Sequence, residues 1–441
     1  MKFPFPSQEE ILRTLSISAL NPMQKEMREA FTQKNEIMLL SPTGSGKTLA
    51  FLLPIVAQLN PDIDQVQALV LAPSRELALQ IEEVFKSMKT HYKVNCCYGG
   101  HAMKVERNNL SNPPAVLIGT PGRIADHLDK GTFSTEALQT IVFDEFDKSL
   151  EFGFTDEMAY IMSQLPAIQK KVLISATQAI QVPDFLEMAN CSIINYLNER
   201  KQIEGLSVRT VWADDPEKLE VFLKLICLIG STEPCLVFCN HRDAVDRLGN
   251  HLAEHGIVSA RFHGGLDQRD REEVLAMFRN GSTHILVTTD LAARGLDIPD
   301  VKHIIHYQKP NTEETFIHRN GRTARMGKEG TAYVMLTDQD EVPKYLSKRT
   351  QELELPEEMV LPQTPVFITL FVSKGKKDKI NKMDLVGFLS KVGELGKDDI
   401  GLIEVKDFFA YVAISRKKSA AVLKKISGQK IKNQAVKFSL L

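Results

Sequence analysis

Cysteine is scarce and unpatterned in this sequence. Six occur in 441 residues, at positions 96, 97, 191, 227, 235 and 239. None forms a C-x-x-C pair, and Cys235 and Cys239 have no histidine-rich complement. That spacing argues against a zinc site or a disulfide framework. Reduced thiols packed as small apolar side chains are expected instead. Long apolar runs are also lacking, and no stretch approaches the roughly 20 residues needed to cross a bilayer. The opening segment, residues 1–7, has no apolar core of the signal-peptide kind, so a cytoplasmic location is expected. There is no low-complexity tract, and the net charge is only −2.

At 43% hydrophobic and 25% charged, the composition is that of a globular protein. At roughly 100–200 residues per domain, its length predicts two to four domains. The small net charge hides an asymmetry. Residues 365–441 carry 16 Lys and Arg against 7 Asp and Glu, whereas the rest of the chain carries 38 against 49. A short basic module on a long acidic body points to a tethered anion-binding domain, with nucleic acid as the usual large anion.

Short β-branched or leucine-rich runs at 36–40, 68–71, 115–118, 140–143 and 171–174 end in turn residues, with amphipathic stretches between them. The alternation predicts a parallel sheet with helices on both faces. Runs at 235–239, 284–288, 303–307 and 331–336 repeat the scheme. Two α/β lobes follow, over 1–205 and 206–351, with a hinge at 198–205. A Glu- and Pro-rich linker spans 352–364. Residues 365–441 then read β-α-β-β-α-β, an α+β layout shared with RNA-recognition modules.

Ser41-Pro-Thr-Gly-Ser-Gly-Lys-Thr48 lies between an apolar strand and a helical run, the context a phosphate-binding loop requires. Gly44 and Gly46 let backbone N–H groups point at phosphate oxygens, helped by the helix N-terminus. Thr43 and Ser45 complete the cradle, Lys47 reaches the β- and γ-phosphates, and Thr48 offers a hydroxyl to Mg²⁺. Such a loop needs an acid for the metal and a group that orients the attacking water. Asp144 and Glu145, at the C-terminal end of a buried strand, are assigned those roles. The second lobe has no such loop, but it offers His318-Arg-Asn-Gly-Arg-Thr-Ala-Arg325. Its arginines suit an anion clamp. Fingers of this kind are worth roughly 10³–10⁵ in rate.

Together these segments resemble a DEAD-box RNA helicase over about residues 15–350. The resemblance implies two RecA-like lobes that use ATP and Mg²⁺ to open RNA helices. Pro22-Met-Gln24 resembles the adenine-reading motif, with Gln24 as the contact and Phe3 or Phe5 as its upstream aromatic. The motif around Arg75, Gly99-Gly100 and Thr120-Pro-Gly-Arg123 resembles the RNA-backbone motifs. It makes Arg75, Gly100, Thr120, Gly122 and Arg123 RNA-binding candidates. Ser175-Ala-Thr177 resembles the motif that couples ATP state to RNA, with Asp147 as its partner. Gln268, Arg271, Thr288-Thr-Asp290 and Arg294-Gly-Leu-Asp297 match the later motifs. Asp297 is then the ribose contact, and Arg322 and Arg325 are the fingers. The signature tetrad departs from the family at Phe146, where Ala is usual, so the packing behind it must be opened.

Residues 365–441 resemble the RNA-binding domain of the DbpA-type helicases, a small RRM-like fold. That resemblance implies ribosomal RNA, in large-subunit assembly, as the partner. Lys374, Lys376, Lys377 and Lys379 are the RNA contacts expected from charge. Phe409 and Tyr411 alternate onto one strand face, where they either stack bases or belong to the core. The expected mechanism is a monomer whose lobes close on ATP and RNA, straining one strand out of its duplex. A non-catalytic RNA scaffold with a weak ATPase core is the alternative reading.

Overall fold

The computed structural model describes all residues except 1–5, 43, 101–102, 178–180, 198–204, 231, 293–297, 299–300, 325–328 and 347–349. The chain divides near residue 202 into two units. The expected hinge therefore lies almost wholly outside the described residues, and so do Thr43, Arg294, Asp297, Arg325, Phe3 and Phe5.

In the first unit seven strands form one parallel sheet. They are β1 (Glu36–Leu40), β2 (Ala68–Leu71), β3 (Val94–Cys97), β4 (Val116–Gly119), β5 (Thr140–Phe143), β6 (Lys170–Ser175) and β7 (Ser192–Asn195), in the order β3-β4-β2-β5-β6-β1-β7. The central strands are buried along their whole length because helices cover both faces. Those helices are α1 (Gln8–Thr14), α2 (Pro22–Gln33), α3 (Lys47–Gln58), α4 (Arg75–Ser87), α5 (Met103–Leu110), α6 (Pro121–Asp129), α7 (Phe146–Glu151) and α8 (Thr155–Ser163). A parallel sheet puts all its strand C-termini on one edge. The segments after β1, β2, β4, β5 and β6 therefore meet there, and these carry the motifs picked out in the sequence.

The second unit opens with another seven-stranded parallel sheet. Its strands are β8 (Leu206–Ala213), β9 (Cys235–Phe238), β10 (Ser259–Phe262), β11 (Ile285–Thr288), β12 (His303–His306), β13 (Gly330–Thr337) and β14 (Gln351–Glu352). Their order, β10-β11-β9-β12-β13-β8-β14, matches the first sheet strand for strand. Helices α9 (Lys218–Ile229), α10 (Arg242–Glu254), α11 (Gln268–Arg279) and α12 (Glu313–Asn320) accompany it. The start of the expected linker belongs to this lobe. Glu352 pairs with Thr210, and the Leu353 amide donates to Thr210 O at 2.8 Å.

The same unit ends in an antiparallel sheet ordered β16-β17-β15-β20, from β15 (Phe367–Val372), β16 (Ile400–Val405), β17 (Ala410–Ser415) and β20 (Phe438–Leu440). A two-residue hairpin, β18 (Lys430–Ile431) with β19 (Gln434–Ala435), sits beside it. Helices α13 (Lys382–Lys391) and α14 (Ser419–Ile426) share one core with Leu370, Val372, Val412 and Ile414 from one sheet face. The expected fold class holds: two parallel-sheet lobes and a small α+β module. The last strand spans only Phe438–Leu440, because Ala435 is used by the hairpin. The strands the sequence did not reveal are chiefly the sheet margins β3, β7, β10 and β14, together with β8. Marginal strands such as β3 and β7 are only partly buried, so they lack a continuous apolar run.

Candidate functional site

The loop after β1 is held by its own side chains. Gly44 and Gly46 have φ of 76° and 87°, left-handed values that favour glycine. Lys47 is buried, and its Nζ donates to Ser41 O at 2.7 Å. Ser41 Oγ lies 2.8 Å from Ser45 Oγ, which donates to Pro42 O at 2.8 Å. Thr48 follows in the first turn of α3.

Gln24 braces this loop. It is the third residue of α2 and closes a capping box with Asn21. Its Oε1 accepts from the Asn21 amide at 3.0 Å, and its Nε2 donates to Gly46 O at 3.1 Å. Asn21 Nδ2 donates to Ser45 O at 3.0 Å. A Cβ on Gly46 would lie 2.6 Å from Gln24 Nε2, so glycine is needed there for contact as well as for φ. A carboxamide has two N–H groups and two lone pairs. These bonds use one of each, and the remainder suits the donor–acceptor edge of an adenine.

The acids follow β5. Asp144 is 3% exposed and accepts from the Glu145 amide at 3.0 Å. Burial, reinforced by the Glu145 charge, pushes its carboxyl up to about 7, against the pull of Lys47. Glu145 has φ 47°, which sets it apart from the helix that starts at Phe146. Phe146 is fully buried edge-on to Phe143, with ring centroids 5.7 Å apart. It joins the core that contains Met158, Ile161 and Leu173, so the first lobe accommodates the large side chain. Asp147 is buried one residue further on. Ser175 O accepts from the Ser41 amide at 3.0 Å, tying the end of β6 to the phosphate loop. Ser175 Oγ accepts from the Thr177 amide at 2.9 Å.

The RNA-motif residues of the first lobe fall into two clusters. Arg75 lies against Gly99 and Gly100, and a Cβ on Gly100 would come 2.6 Å from Arg75 Nη1. Thr120 caps α6. A Cβ on Gly122 would meet nothing within 4 Å, so protein packing does not demand that glycine. Arg123 Nε donates to Tyr98 O at 3.2 Å and pairs with Glu106 at 3.1 Å. His127 Nε2 lies 2.9 Å from the same Glu106 oxygen, and the Tyr98 amide donates to the other at 3.1 Å. No short motif marks Glu106 or His127, because β4 and its loops separate them from their partners. Cys97, Glu106 and His127 have metal-ligand spacing. The carboxylate is already committed to Arg123, and burial pushes the Cys97 thiol up to about 12, so the cluster reads as a brace for Arg123.

In the second lobe two of the three arginines of 318–325, Arg319 and Arg322, fall among the described residues. Arg319 is fully buried. It pairs with Asp290 through Nε at 2.6 Å and Nη2 at 3.1 Å, and donates to Asn240 Oδ1 and Gln308 O. It is a structural pin and cannot clamp a ligand. Arg322 follows α12 and is 5% exposed. Arg271 donates to Leu266 O and Gly264 O, and Gln268 Nε2 donates to Glu272.

In the C-terminal module Lys374 pairs with Asp378 at 2.8 Å. Among the described residues no carboxylate pairs with Lys376, Lys377 or Lys379, and all three are exposed. The sheet face away from α13 and α14 carries Thr369, Phe371, Tyr411 and Glu404, because Phe371 pairs with Tyr411 and Tyr411 with Glu404. Helix α11 and the turn after it lie across that face. Arg279 pairs with Glu404 at 2.7 Å, and Asn280 Nδ2 donates to Thr369 at 2.8 Å. The Arg269 guanidinium sits 5.2 Å from the Phe371 ring. Arg416 adds a bond from Nη2 to Ser282 O at 2.9 Å. Phe409 and Tyr411 do share a face, with centroids 5.2 Å apart, but Tyr411 is only 1% exposed.

Comparison with known proteins gives three family matches along the chain. The DEAD/DEAH box helicase family matches residues 21–185, the helicase conserved C-terminal domain 217–327, and the DbpA RNA binding domain 369–440. The ATP-dependent RNA helicase DbpA of Bacillus subtilis is 30% identical, over 97% of this chain and 96% of its own length. The Escherichia coli protein of the same name is 31% identical, over 99% and 97%. Among solved structures, Saccharomyces cerevisiae Dbp5 bound to RNA and ADP BeF3 is similar at TM-score 0.67. It is 27% identical over 75% of this chain and 88% of its own.

Proposed function

Because the chain belongs to the DEAD-box ATP-dependent RNA helicases of the DbpA type, we propose that its RNA is ribosomal, met during large-subunit assembly. The activity itself is ATP hydrolysis coupled to RNA remodelling. The observation that carries the finer reading is the basic C-terminal module. It holds 16 of the 54 Lys and Arg side chains. Its turn lysines Lys376, Lys377 and Lys379 face solvent without acid partners among the described residues, and phosphates are the partners such a turn suits. In this reading the module finds one RNA structure, and the lobes act with little sequence preference on a neighbouring helix. We place the enzyme in the cytoplasm, as a monomer.

Within the ATP site, Lys47 and the loop backbone hold the phosphates. Gln24 reads adenine with its remaining N–H and lone pair. Glu145 orients the attacking water and accepts its proton. Arg322 and Arg325 act as fingers on the γ-phosphate, and Asp297 contacts the ribose. The Thr48 hydroxyl and Asp144 carboxylate are hard oxygen donors of the kind Mg²⁺ takes. A buried carboxyl pushed up to about 7 is one that a hard cation would relieve, so these residues fit the ion. When bound, Mg²⁺ supplies neutralising charge to the phosphate oxygens. Arg75, Gly100, Thr120, Gly122 and Arg123 take the RNA backbone, and Asp147, Ser175 and Thr177 couple it to the nucleotide.

The test is to crosslink the full chain to total cellular RNA and sequence the bound fragments. Enrichment at one region of large-subunit ribosomal RNA is expected. Crosslinks spread across messenger RNA would overturn the ribosomal reading and leave the helicase activity standing.

A further inference from the structure

An RRM-type module stacks two or three bases on the aromatics of its open sheet face. Here that face is closed. Thr369 and Tyr411 are buried, Arg269 covers Phe371, and Arg279 holds Glu404. A nucleobase on Phe371 would have to displace a helix of the second lobe.

The module has another aromatic. Phe408 is 62% exposed at the tip of the β16–β17 hairpin, which is closed by the Lys406 amide donating to Phe409 O at 2.8 Å. One exposed phenylalanine is ordinary on a protein surface. This one is anchored to the lysine turn. The Lys376 amide donates to Lys406 O and the Lys377 amide to Asp407 O, each at 2.8 Å. A Cβ on Gly375 would lie 2.2 Å from Lys406 O, so only glycine allows turn and hairpin to meet so closely. The backbone thus fixes Phe408 next to Lys376 and Lys377, which have no acid partners among the described residues. Lys406 pairs with Glu404 at 3.1 Å, and Asp407 is the one acid at the tip.

We propose that Phe408, with Lys376 and Lys377, forms the site where an unpaired nucleobase stacks and its flanking phosphates are held, in place of the sheet face. This rests on the reading of the turn as the RNA contact. Stacking on an aromatic is worth about 5- to 150-fold in affinity per base. An aromatic platform beside free lysines is how single-stranded segments are held with little sequence readout.

The test uses the full chain and purified ribosomal RNA as probe. Ultraviolet crosslinking with mass spectrometry is expected to place a nucleotide adduct on Phe408. Adducts on Phe371 or Tyr411 with none on Phe408 would overturn the proposal. In binding titrations Phe408→Ala should weaken affinity about 5- to 150-fold, with Phe408→Trp close to wild type. Circular dichroism checks that the exposed substitution leaves the fold intact. If Phe408→Ala binds normally while the Lys376→Ala/Lys377→Ala pair binds weakly, stacking is refuted and the turn reading stands. If neither variant weakens binding, both fall.

Discussion

The two large sheets have the same strand order, yet the proposed ATP site belongs to the first alone. Strand β1 runs into Ser41–Thr48, whose Gly44 and Gly46 take left-handed backbone angles. Its counterpart β8 runs into Asp214-Asp215-Pro216-Glu217, an acidic turn with no glycine. Strand β5 ends in Phe143 and then Asp144-Glu145, whereas its counterpart β12 ends in His306 and then Tyr307-Gln308. The acids are also handled differently: Asp144 is buried, whereas the Asp290 side chain is half-exposed. Asp144 is raised by burial and has Lys47 as the main opposing pull, but Asp290 is answered within its own lobe by Arg319. The difference teaches that the scaffold decides where loops meet, and the loop residues decide what happens there. The first lobe leaves its acid in want of a cation. The second pairs its acid with a buried arginine of its own.

The sharpest test of the contrast is Glu145→Gln. Losing the general base should lower RNA-stimulated ATP turnover by about 10²–10⁴ with little change in nucleotide affinity. A phosphate-release assay checks it, and near-normal turnover would sink the role given to Glu145. Next is Arg319→Ala. The variant removes a buried guanidinium and takes this donor from the Asn240 and Gln308 oxygens, while the half-exposed Asp290 regains water, so a cost of about 1–3 kcal/mol is expected. Denaturant unfolding should show the second unit unfolding earlier while the first keeps its midpoint.

A third test uses the matched positions Phe143 and His306. His306 is fully buried, stacked 5.2 Å from Phe316, and bonded through Nε2 to Asn320 at 3.0 Å. Burial and the facing Arg319 cation hold its imidazole down to about 3, against 6.5 in free histidine. Its folded pKa is depressed, so folding favours the neutral ring. That contribution is complete above about 6.5 and drains away as pH falls toward 3. By pH 5 the loss is about 2 kcal/mol, at 1.36 kcal/mol per unit. The second unit should therefore soften in acid before the first does. His306→Phe, which copies the first lobe, should flatten the slope; an unchanged slope would place the acid sensitivity elsewhere.

The comparison also explains what was legible in the sequence. The phosphate loop and the strand-end acids are contiguous, so their chemistry shows as short motifs. The brace of Glu106 and His127 on Arg123 is not, because each partner comes from a different segment. The three arginines after residue 318 look alike as letters, and only the fold sends Arg319 inward. Helix α11 reads Gln268-Arg-Asp-Arg-Glu-Glu, a solvent face by pattern. Nothing in that string announces a partner sheet, so the closure of the C-terminal sheet face was invisible.

That covered face supplies the smallest prediction. The Tyr411 hydroxyl is buried and has no hydrogen-bond partner among the described residues. Burial, with Glu272 and Glu273 nearby, raises its pKa, so it stays protonated. An unsatisfied buried hydroxyl carries a desolvation cost, and removing it without changing shape is neutral or stabilising. Tyr411→Phe should therefore stabilise the second unit by up to about 1 kcal/mol and leave RNA affinity unchanged. A sheet face open to bases would give the opposite pattern, because an exposed tyrosine hydroxyl costs nothing. Thermal unfolding together with an RNA titration separates the two. A gain in stability with equal affinity means that α11, and no base, is what Tyr411 meets.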